Sequence, residues 1–244
     1  MSNWVLRGLR TGIKSTRYPR SLERAPGTTP GLPASTTLGS AADAEALASV
    51  CPTRALQSLE QEVRVDDGRC VNCRRCERRA GARADWRDDF EWAHAPTPDG
   101  PTLELPAAFA GSLHVLVVDA GDCGACLSEL AQLSGPYYNM QRLGLFITPS
   151  PRHADVMVVV GPLTVNMRDG VRRCYEAMPE PRRVVAVGAC AISGGVFAGS
   201  FAAGDGVAGA VPVDLVVPGC PPPPLALLHA LLVVTGRAAG AAPR

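Results

Sequence analysis

Four cysteines in the carboxyl-terminal half of the chain have the residue type and spacing of metal ligands. They are Cys123, Cys126, Cys190 and Cys220. The first two form a C-x-x-C pair directly after the apolar run 113–118, and the other two follow β-branched runs at 183–187 and 213–217. Ligands collect at the carboxyl ends of strands in open parallel sheets, so thiols distant in sequence can meet there. We therefore predict one four-cysteine site.

Four thiolates hold either zinc or an iron-sulfur cluster, and ligand softness does not separate the two. Structural zinc usually takes two local knuckles, whereas this site combines one C-x-x-C pair with two single cysteines on separate strands. A 4Fe-4S cluster suits that spread better, and zinc is the alternative. The prolines at 221–224 carry no backbone N–H, and few donors to the sulfurs favour a low reduction potential.

A second cysteine group, in the amino-terminal half, is typical of a ferredoxin that has kept one of its two clusters. Its members are Cys51, Cys70, Cys73 and Cys76. The last three form C-x-x-C-x-x-C, and Cys51 precedes a proline, as does the ferredoxin ligand that serves the other cluster. Position 80, where the second motif would place its own Cys-Pro, is Ala80. We predict one 4Fe-4S site here; a zinc knuckle or thiols without a ligand role are the alternatives.

Length and composition limit the class of protein. A chain of 244 residues can form one good-sized domain and a smaller one, and its net charge of +1 gives no reason to expect nucleic acid as a partner. Nine cysteines, an odd number mostly in C-x-x-C spacing, argue against a secreted disulfide framework. Neither a signal peptide nor a long apolar run is evident, so we expect a reducing cytoplasm.

The elements that would position the second half's thiols alternate between strands and helices from residue 111 onward. Strand candidates are 113–118, 144–148, 155–160, 183–187 and 213–217, and helix candidates are 126–135, 167–178 and 222–235. This alternation predicts an α/β fold with a parallel sheet. Glycines flank the thiols at the strand ends, where the backbone would approach a bulky group closely.

The chain divides into four predicted regions. They are a ferredoxin-like segment with one 4Fe-4S site (1–80), a connector (81–110), a 4Fe-4S domain (111–237) and a tail (238–244). Residues 1–20 place apolar and basic side chains along one potential helix, which would lie on a membrane surface or in a partner's groove, or else form a solvated terminus. The connector carries Trp86, Phe90 and Trp92, which either dock on a partner subunit or cover a seam between domains.

Five motifs, in order along 112–235, resemble the small subunit of complex-I-related nickel-iron hydrogenases, including formate hydrogenlyase. They are Cys123-Gly-Ala-Cys-Leu-Ser-Glu129, Ser150-Pro-Arg-His-Ala-Asp155, Gly161-Pro162, Gly188-Ala-Cys-Ala-Ile-Ser-Gly-Gly195 and Pro218-Gly-Cys-Pro-Pro222. The same fold serves as the B subunit of NADH:quinone oxidoreductase, but that subunit has two adjacent cysteines where this chain has C-x-x-C. Residues 1–80 are similar to a shortened ferredoxin-like subunit of the same complexes.

The resemblance implies a flavodoxin-like domain that places its 4Fe-4S cluster beside a large subunit holding the nickel-iron centre. The chain would be an electron-transfer oxidoreductase subunit, active only in a complex with that large subunit and with membrane subunits, on the cytoplasmic face of the membrane. It would bind no nucleic acid and no small-molecule substrate directly. A complex-I-like oxidoreductase whose large subunit lacks nickel would leave this sequence unchanged.

Three other residues of the motifs have two interpretations each. Glu129 matches a glutamate of the family motif and would carry protons near the cluster, or it would interact with the dipole of a helix as part of its first turn. Arg152 and His153 match a family loop and would face the large subunit, or they are ordinary loop residues. Cys174, on an apolar helical face, is predicted to be a buried small side chain without a ligand role.

Overall fold

The computed structural model describes residues 3–23, 25, 27–78, 81, 83–97 and 105–241. The predicted connector (81–110) and tail (238–244) therefore lie partly outside the described residues, as does Ala80. The division into four regions stays a prediction.

The helices and strands follow one another in two groups. The amino-terminal half contains α1 (Asn3–Thr11), β1 (Leu32–Pro33), β2 (Thr36–Thr37), α2 (Ala41–Ala48), β3 (Leu56–Leu59), β4 (Glu62–Val65), α3 (Arg75–Arg78) and β5 (Trp86–Arg87). The carboxyl-terminal half contains β6 (Leu113–Asp119), α4 (Ala125–Gln132), β7 (Leu145–Ile147), β8 (Val156–Val160), α5 (Arg168–Ala177), β9 (Arg183–Val187), α6 (Gly188–Ser193), β10 (Leu215–Val217) and α7 (Pro224–Val234).

Five parallel strands form the main sheet in the order β10-β9-β8-β6-β7. Numbered within this half of the chain, the order is 2-1-3-4-5, which is the flavodoxin-like order with its switch point between the first and third strands. The predicted α/β, flavodoxin-like parallel sheet is confirmed. The sequence did not predict α6, a six-residue helix that starts directly at the end of β9.

Both faces of the sheet are covered, which explains the continuous apolar strands. All five residues of β8 are buried, and they alternate between two cores. Val156, Val158 and Val160 pack in the core that contains α7, and Met157 and Val159 pack in the core that contains Val171 of α5. A strand buried on both faces has no polar side to alternate with, so its sequence is a run of apolar residues.

The amino-terminal half has a small core of its own. Strands β2, β4 and β3 form an antiparallel sheet, and α2 packs on it through Ala44 and Leu47. Ser40 caps α2 by accepting a hydrogen bond from the backbone of Asp43. Cys51 and Cys76 pack at the margin of this core, so two of the upstream cysteines are positioned by it.

The aromatic residues of the connector lie at a seam between the two halves. Phe90 and Trp92 are almost fully buried and belong to the main core, together with Tyr18 and Leu32 from the amino-terminal half. The Tyr18 hydroxyl donates a hydrogen bond to Glu91 at 2.8 Å. Of the two interpretations, the structure supports the seam for Phe90 and Trp92, because buried rings offer no surface to a partner. Trp86 is half-buried in β5 and does not belong to this core.

Helix α1 has no buried residue. Trp4, Leu9 and Ile13 are each at least 74% exposed. Thr16 and Tyr18, only a few residues later, are buried, so the exposed segment ends near residue 14. Among the described residues, no helix combines the length and the apolar character needed to span a bilayer.

Candidate metal centres

The structure brings the four downstream cysteines together at the carboxyl ends of the parallel strands. We call Cys123, Cys126, Cys190 and Cys220 the carboxyl-terminal site. Each of these thiols lies within electrostatic range of the other three. Cys126 is buried and Cys123 is exposed, so the site reaches from the sheet edge to the surface.

The turn after β6 positions the C-x-x-C pair. The Asp119 carboxylate accepts hydrogen bonds from the backbone of Gly121 and Asp122 at 2.8 and 2.6 Å, which reverses the chain. Asp122 then accepts from the backbone of Gly124 and Leu127 at 2.9 and 3.3 Å and so begins α4. As a result the Cys126 thiol leaves the first turn of α4 next to the strand ends.

Glycine is required where the cysteine loops meet. Gly188 has a φ of +85°, and a Cβ added there would lie 2.8 Å from the Sγ atom of Cys126. A Cβ on Gly195 would lie 3.0 Å from the Sγ atom of Cys190. The backbone N–H of Ala189 donates to the carbonyl of Gly219 at 2.9 Å and joins the loops that carry the last two thiols. These glycines leave space around the sulfurs that any side chain would fill.

The four upstream cysteines also meet. We call Cys51, Cys70, Cys73 and Cys76 the amino-terminal site, and all four line one small cavity beside Trp86. Asn72 and Arg74 have φ values of +50° and +57°. These left-handed residues alternate with the cysteines of the C-x-x-C-x-x-C loop and turn its backbone repeatedly.

Side-chain contacts hold the amino-terminal loop in place. The Arg74 guanidinium lies 4.4 Å from the centre of the Trp86 ring, pairs with Glu77 at 2.9 Å and donates to the carbonyl of Pro30. The Thr53 hydroxyl donates to the carbonyl of Arg69 at 2.7 Å, which ties the loop after Cys51 to the turn before Cys70. The backbone N–H of Ala55 points to the Sγ atom of Cys51 at 3.2 Å.

Burial is the largest cause of the raised pKa of five of the thiols, which are Cys70, Cys76, Cys126, Cys190 and Cys220. Burial raises the pKa of Cys126 well above its usual range, and Asp122 and the other three thiols of the site raise it further. Burial likewise raises the pKa of Cys190 to about 11 and that of Cys70 to about 12. Grouped, desolvated thiols of this kind become thiolates when a positively charged metal group binds them.

The donor sets fit iron-sulfur groups, because each site offers four thiols. At the carboxyl-terminal site, Gly188 and Gly195 also leave room at the sulfurs. Soft thiolate ligands suit zinc and iron-sulfur clusters alike. Within the described ranges, no group of three or more histidine, cysteine, aspartate or glutamate side chains has the arrangement of a single-ion site.

Asp122 is the residue of the carboxyl-terminal site that sequence reasoning missed. Its carboxylate raises the pKa of Cys126, Cys190 and Cys220, in each case after the larger effect of burial. An aspartate directly before the C-x-x-C pair, at the start of a helix, was the available signal.

Glu129 is not in the first turn of α4, contrary to one of its two interpretations. It is the fifth residue of a helix that begins at Ala125, because Asp122 starts the helix earlier than the sequence pattern indicated. A favourable interaction with the helix dipole falls off beyond the first turn, so Asp122 takes that role. Burial raises the pKa of the half-buried Glu129 carboxyl.

The remaining candidates lie apart from the thiols or at the surface. Arg152 and His153 are exposed on a 3₁₀ turn, Pro151–His153, between β7 and β8. Cys174 is half-buried and packs against the core on the α5 side of the sheet, as a small apolar side chain would.

Comparison with known proteins places residues 123–234 in the family described as NADH ubiquinone oxidoreductase, 20 Kd subunit. An uncharacterized protein of Methanocaldococcus jannaschii is 42% identical over 127 residues, which are 52% of this chain and 85% of that protein.

Two solved structures are similar in part. A chain of the membrane-bound sulfane sulfur reductase, an archaeal respiratory membrane complex, is 28% identical with a TM-score of 0.47; the match covers 53% of this chain and 73% of that one. A chain of an NAD+-reducing [NiFe]-hydrogenase is 20% identical with a TM-score of 0.43; the match covers 55% of this chain and 94% of that one.

Proposed function

Because the chain belongs to the family of the 20 kDa subunit of NADH:ubiquinone oxidoreductase, we propose that it is an electron-transfer subunit of a membrane-associated nickel-iron hydrogenase complex. Membership in this family makes it a subunit of an oxidoreductase complex related to complex I and its hydrogenases. The C-x-x-C spacing of Cys123 and Cys126, in place of adjacent cysteines, supports the formate hydrogenlyase-like branch.

The observation that carries the proposal is the convergence of two separate four-thiol sites in one chain. Cys123, Cys126, Cys190 and Cys220 would hold one 4Fe-4S cluster, and the second would be held by Cys51, Cys70, Cys73 and Cys76. When bound, each cluster would accept and release one electron at a time. The protein supplies the thiolates, their spacing and the charges around them, and no acid-base catalysis.

The partner in this proposal is a hydrogenase large subunit that carries the nickel-iron centre. Cys123 is the exposed thiol of the carboxyl-terminal site, so the surface around it is the side from which such a partner would exchange electrons. Arg152 and His153 are exposed, which is compatible with an interface role. The alternative is a complex-I-like subunit whose large subunit lacks nickel. The presence or absence of nickel ligands in the large subunit distinguishes the two proposals.

The experiment is an anaerobic count of iron, sulfide and zinc on the purified chain, with EPR after dithionite reduction. We expect about eight irons per chain and signals from two 4Fe-4S clusters, since each such cluster holds four irons. Zinc without iron in an anaerobically reconstituted sample would overturn the proposal and identify a zinc-stabilised interaction module.

We also propose that α1 attaches the complex peripherally to the cytoplasmic face of the membrane. The helix exposes Trp4 and Leu9 together with Arg7 and Arg10, a combination that favours an anionic lipid interface. Deletion of residues 2–12 tests this attachment. A longer deletion, of residues 2–20, would also remove the buried Tyr18 and so disturb the core. We expect the complex to leave the membrane fraction, and unchanged fractionation would refute the attachment.

A further inference from the structure

A single turn touches both thiol sites. This 3₁₀ turn, Asp67–Arg69, which we call the Gly68 turn, leads directly into Cys70. The backbone N–H of Cys70 donates to the carbonyl of Asp67 at 3.1 Å, and Thr53 from the Cys51 loop donates to the carbonyl of Arg69. The turn is therefore a structural part of the amino-terminal site.

The same turn packs on α6, the helix that carries Cys190. The Ser193 hydroxyl, at the end of α6, lies 2.9 Å from the carbonyl oxygen of Gly68 and 3.1 Å from that of Ala189 in its own helix, so its one proton is shared between these two acceptors. The Ser193 oxygen also accepts from the backbone of Gly195 at 3.4 Å, and Gly195 is the glycine that lies against the Sγ atom of Cys190. One serine thus links the Gly68 carbonyl to the backbone around a carboxyl-terminal thiol.

The approach between the turn and α6 depends on glycine. A Cβ added at Gly68 would lie 2.8 Å from the Cγ2 atom of Ile192. The φ of Gly68 is not in the left-handed region, so the requirement is one of space and not of backbone conformation. Gly68 is itself buried, which shows that the contact is closely packed.

A second contact links the turn to the strand before Cys220. The Asp67 carboxylate lies 3.4 Å from Nε2 of His94, and both side chains are buried. The backbone of His94 pairs with Val216 of β10 through two hydrogen bonds of 3.1 and 2.9 Å. The turn therefore contacts elements that lead to two ligands of the carboxyl-terminal site.

We propose that the contact between the Gly68 turn and Ser193 of α6 is the electronic bridge between the two thiol sites. Gly68 sets the separation of the sites, and the Ser193 hydrogen bond provides a path of bonds across the interface. Electron tunnelling weakens steeply with separation and is faster along bonded paths than across gaps. If both sites hold their clusters, an electron lost by one would be gained by the other across this contact, so the transfer would balance without a change in any covalent bond or proton. This inference rests on the proposed function.

Two substitutions test the bridge in the full chain with both clusters assembled. Gly68→Ala should push the turn away from α6, which narrows the magnetic splitting between the reduced clusters in EPR and slows electron re-equilibration after rapid partial reduction. Combining it with Ile192→Ala removes the clashing Cγ2 atom and should restore the splitting. Gly209→Ala, at a glycine with no atom within 4 Å of an added Cβ, is the matched control.

Ser193→Ala tests the hydrogen-bonded path without adding bulk. We expect slower re-equilibration with an unchanged splitting and an unchanged iron content, and this variant decides the proposal if Gly68→Ala does not assemble. Ser134→Ala is its control, because the Ser134 hydroxyl donates to the Sδ atom of Met140 at 4.0 Å and lies outside both cysteine motifs. Two assembled clusters with unaltered splitting and rates in Gly68→Ala, or with an unaltered rate in Ser193→Ala, would overturn the bridge. Absence of two clusters in the unsubstituted chain would instead overturn the proposed function.

Discussion

The amino-terminal site and the carboxyl-terminal site differ in scaffold and in charge. The amino-terminal site lies in one continuous loop plus Cys51, beside a small antiparallel sheet, and Arg74 and Arg75 line its cavity. The carboxyl-terminal site is assembled from three strand ends of a doubly covered sheet, and Asp122 is the carboxylate that acts on its thiols.

The difference in charge has a direct electrochemical consequence. Reduction adds a negative charge to a cluster, so the Asp122 carboxylate disfavours the reduced form at the carboxyl-terminal site and the Arg75 guanidinium favours it at the amino-terminal site. The charge of Arg74 is offset there by its ion pair with Glu77. We therefore expect the amino-terminal cluster to have the higher reduction potential of the two. The prolines after Cys220 act in the same direction, since they offer no N–H to the sulfurs of the carboxyl-terminal site.

Loss of single ligands should have the largest effect and separates the two sites most sharply. Cys126→Ser and Cys73→Ser should each abolish one EPR signal and lower the iron content from about eight to about four per chain. The sites use different cores, which is why each should survive loss of the other. Loss of both clusters in either variant would contradict two independent sites.

Gly188→Ala should come next in effect and should damage only the carboxyl-terminal site. The added Cβ meets the Cys126 Sγ atom and also strains a φ of +85°. Gly199→Ala is the matched control, because its φ of +76° imposes similar strain with no atom within 4 Å. We expect the control to cost about 1–2 kcal/mol in stability and to keep both EPR signals, while Gly188→Ala loses the carboxyl-terminal signal. If Gly188→Ala and Gly199→Ala had the same effect on the EPR signals, backbone strain, and not the space at the Cys126 sulfur, would explain the effect of Gly188→Ala.

Asp122→Asn tests the charge difference with a smaller effect. The amide still accepts the hydrogen bonds that begin α4, so the structure should persist while one negative charge disappears. A change of about 1 kcal/mol per electron should raise the midpoint of the carboxyl-terminal cluster by some tens of millivolts in a potentiometric EPR titration. Asp169→Asn, on the exposed part of α5, is the control. An unchanged midpoint potential in Asp122→Asn would show that Asp122 does not contribute to the difference in reduction potential between the two sites.

The parallel sheet was predictable from sequence because buried strands have a simple pattern. Apolar runs such as 156–160 are short enough to favour a strand covered on both faces, and their alternation with helices predicted a parallel sheet. The flavodoxin-like arrangement was implied by the resemblance to the hydrogenase small subunits. Thiols placed directly after such strands could be grouped, since the sheet fixes where strand ends meet.

What the sequence could not predict depends on contacts between distant segments. The contact of Gly68 with Ile192 and Ser193 joins residues more than 120 positions apart, and nothing local distinguishes this glycine from one in an open turn. Helix α6 is six residues long and begins at a glycine, so it lacks a helical repeat to recognise. The start of α4 was placed one residue late because the role of Asp122 as a hydrogen-bond acceptor was not recognised.

The smallest expected effect is a pH dependence of stability in the carboxyl-terminal half of the chain. It comes from His229 in α7. The side chain is 1% exposed, its Nε2 atom lies 3.0 Å from the carbonyl oxygen of Ala239, and its Nδ1 atom has no hydrogen-bond partner among the residues that the structure describes. Burial therefore lowers the pKa of this imidazole. The unfolded chain takes up a proton near pH 6.5 while the folded chain does not, so stability is complete above that pH and decreases as the pH falls below it.

His229→Gln keeps an N–H donor for Ala239 but cannot titrate in this range. The free energy of unfolding of the unsubstituted chain should decrease between pH 7.5 and 5.5, by at most about 1.4 kcal/mol per pH unit from this group, and the decrease should be smaller in His229→Gln. Denaturation under anaerobic conditions, monitored by circular dichroism, measures the free energy of unfolding of both chains at each pH. The contribution of the clusters is common to the two chains and cancels in the difference between them. His114→Gln is the control, since that ring is 45% exposed. Parallel pH curves for the unsubstituted chain and His229→Gln would show that the acid sensitivity of the carboxyl-terminal half does not originate in its buried histidine.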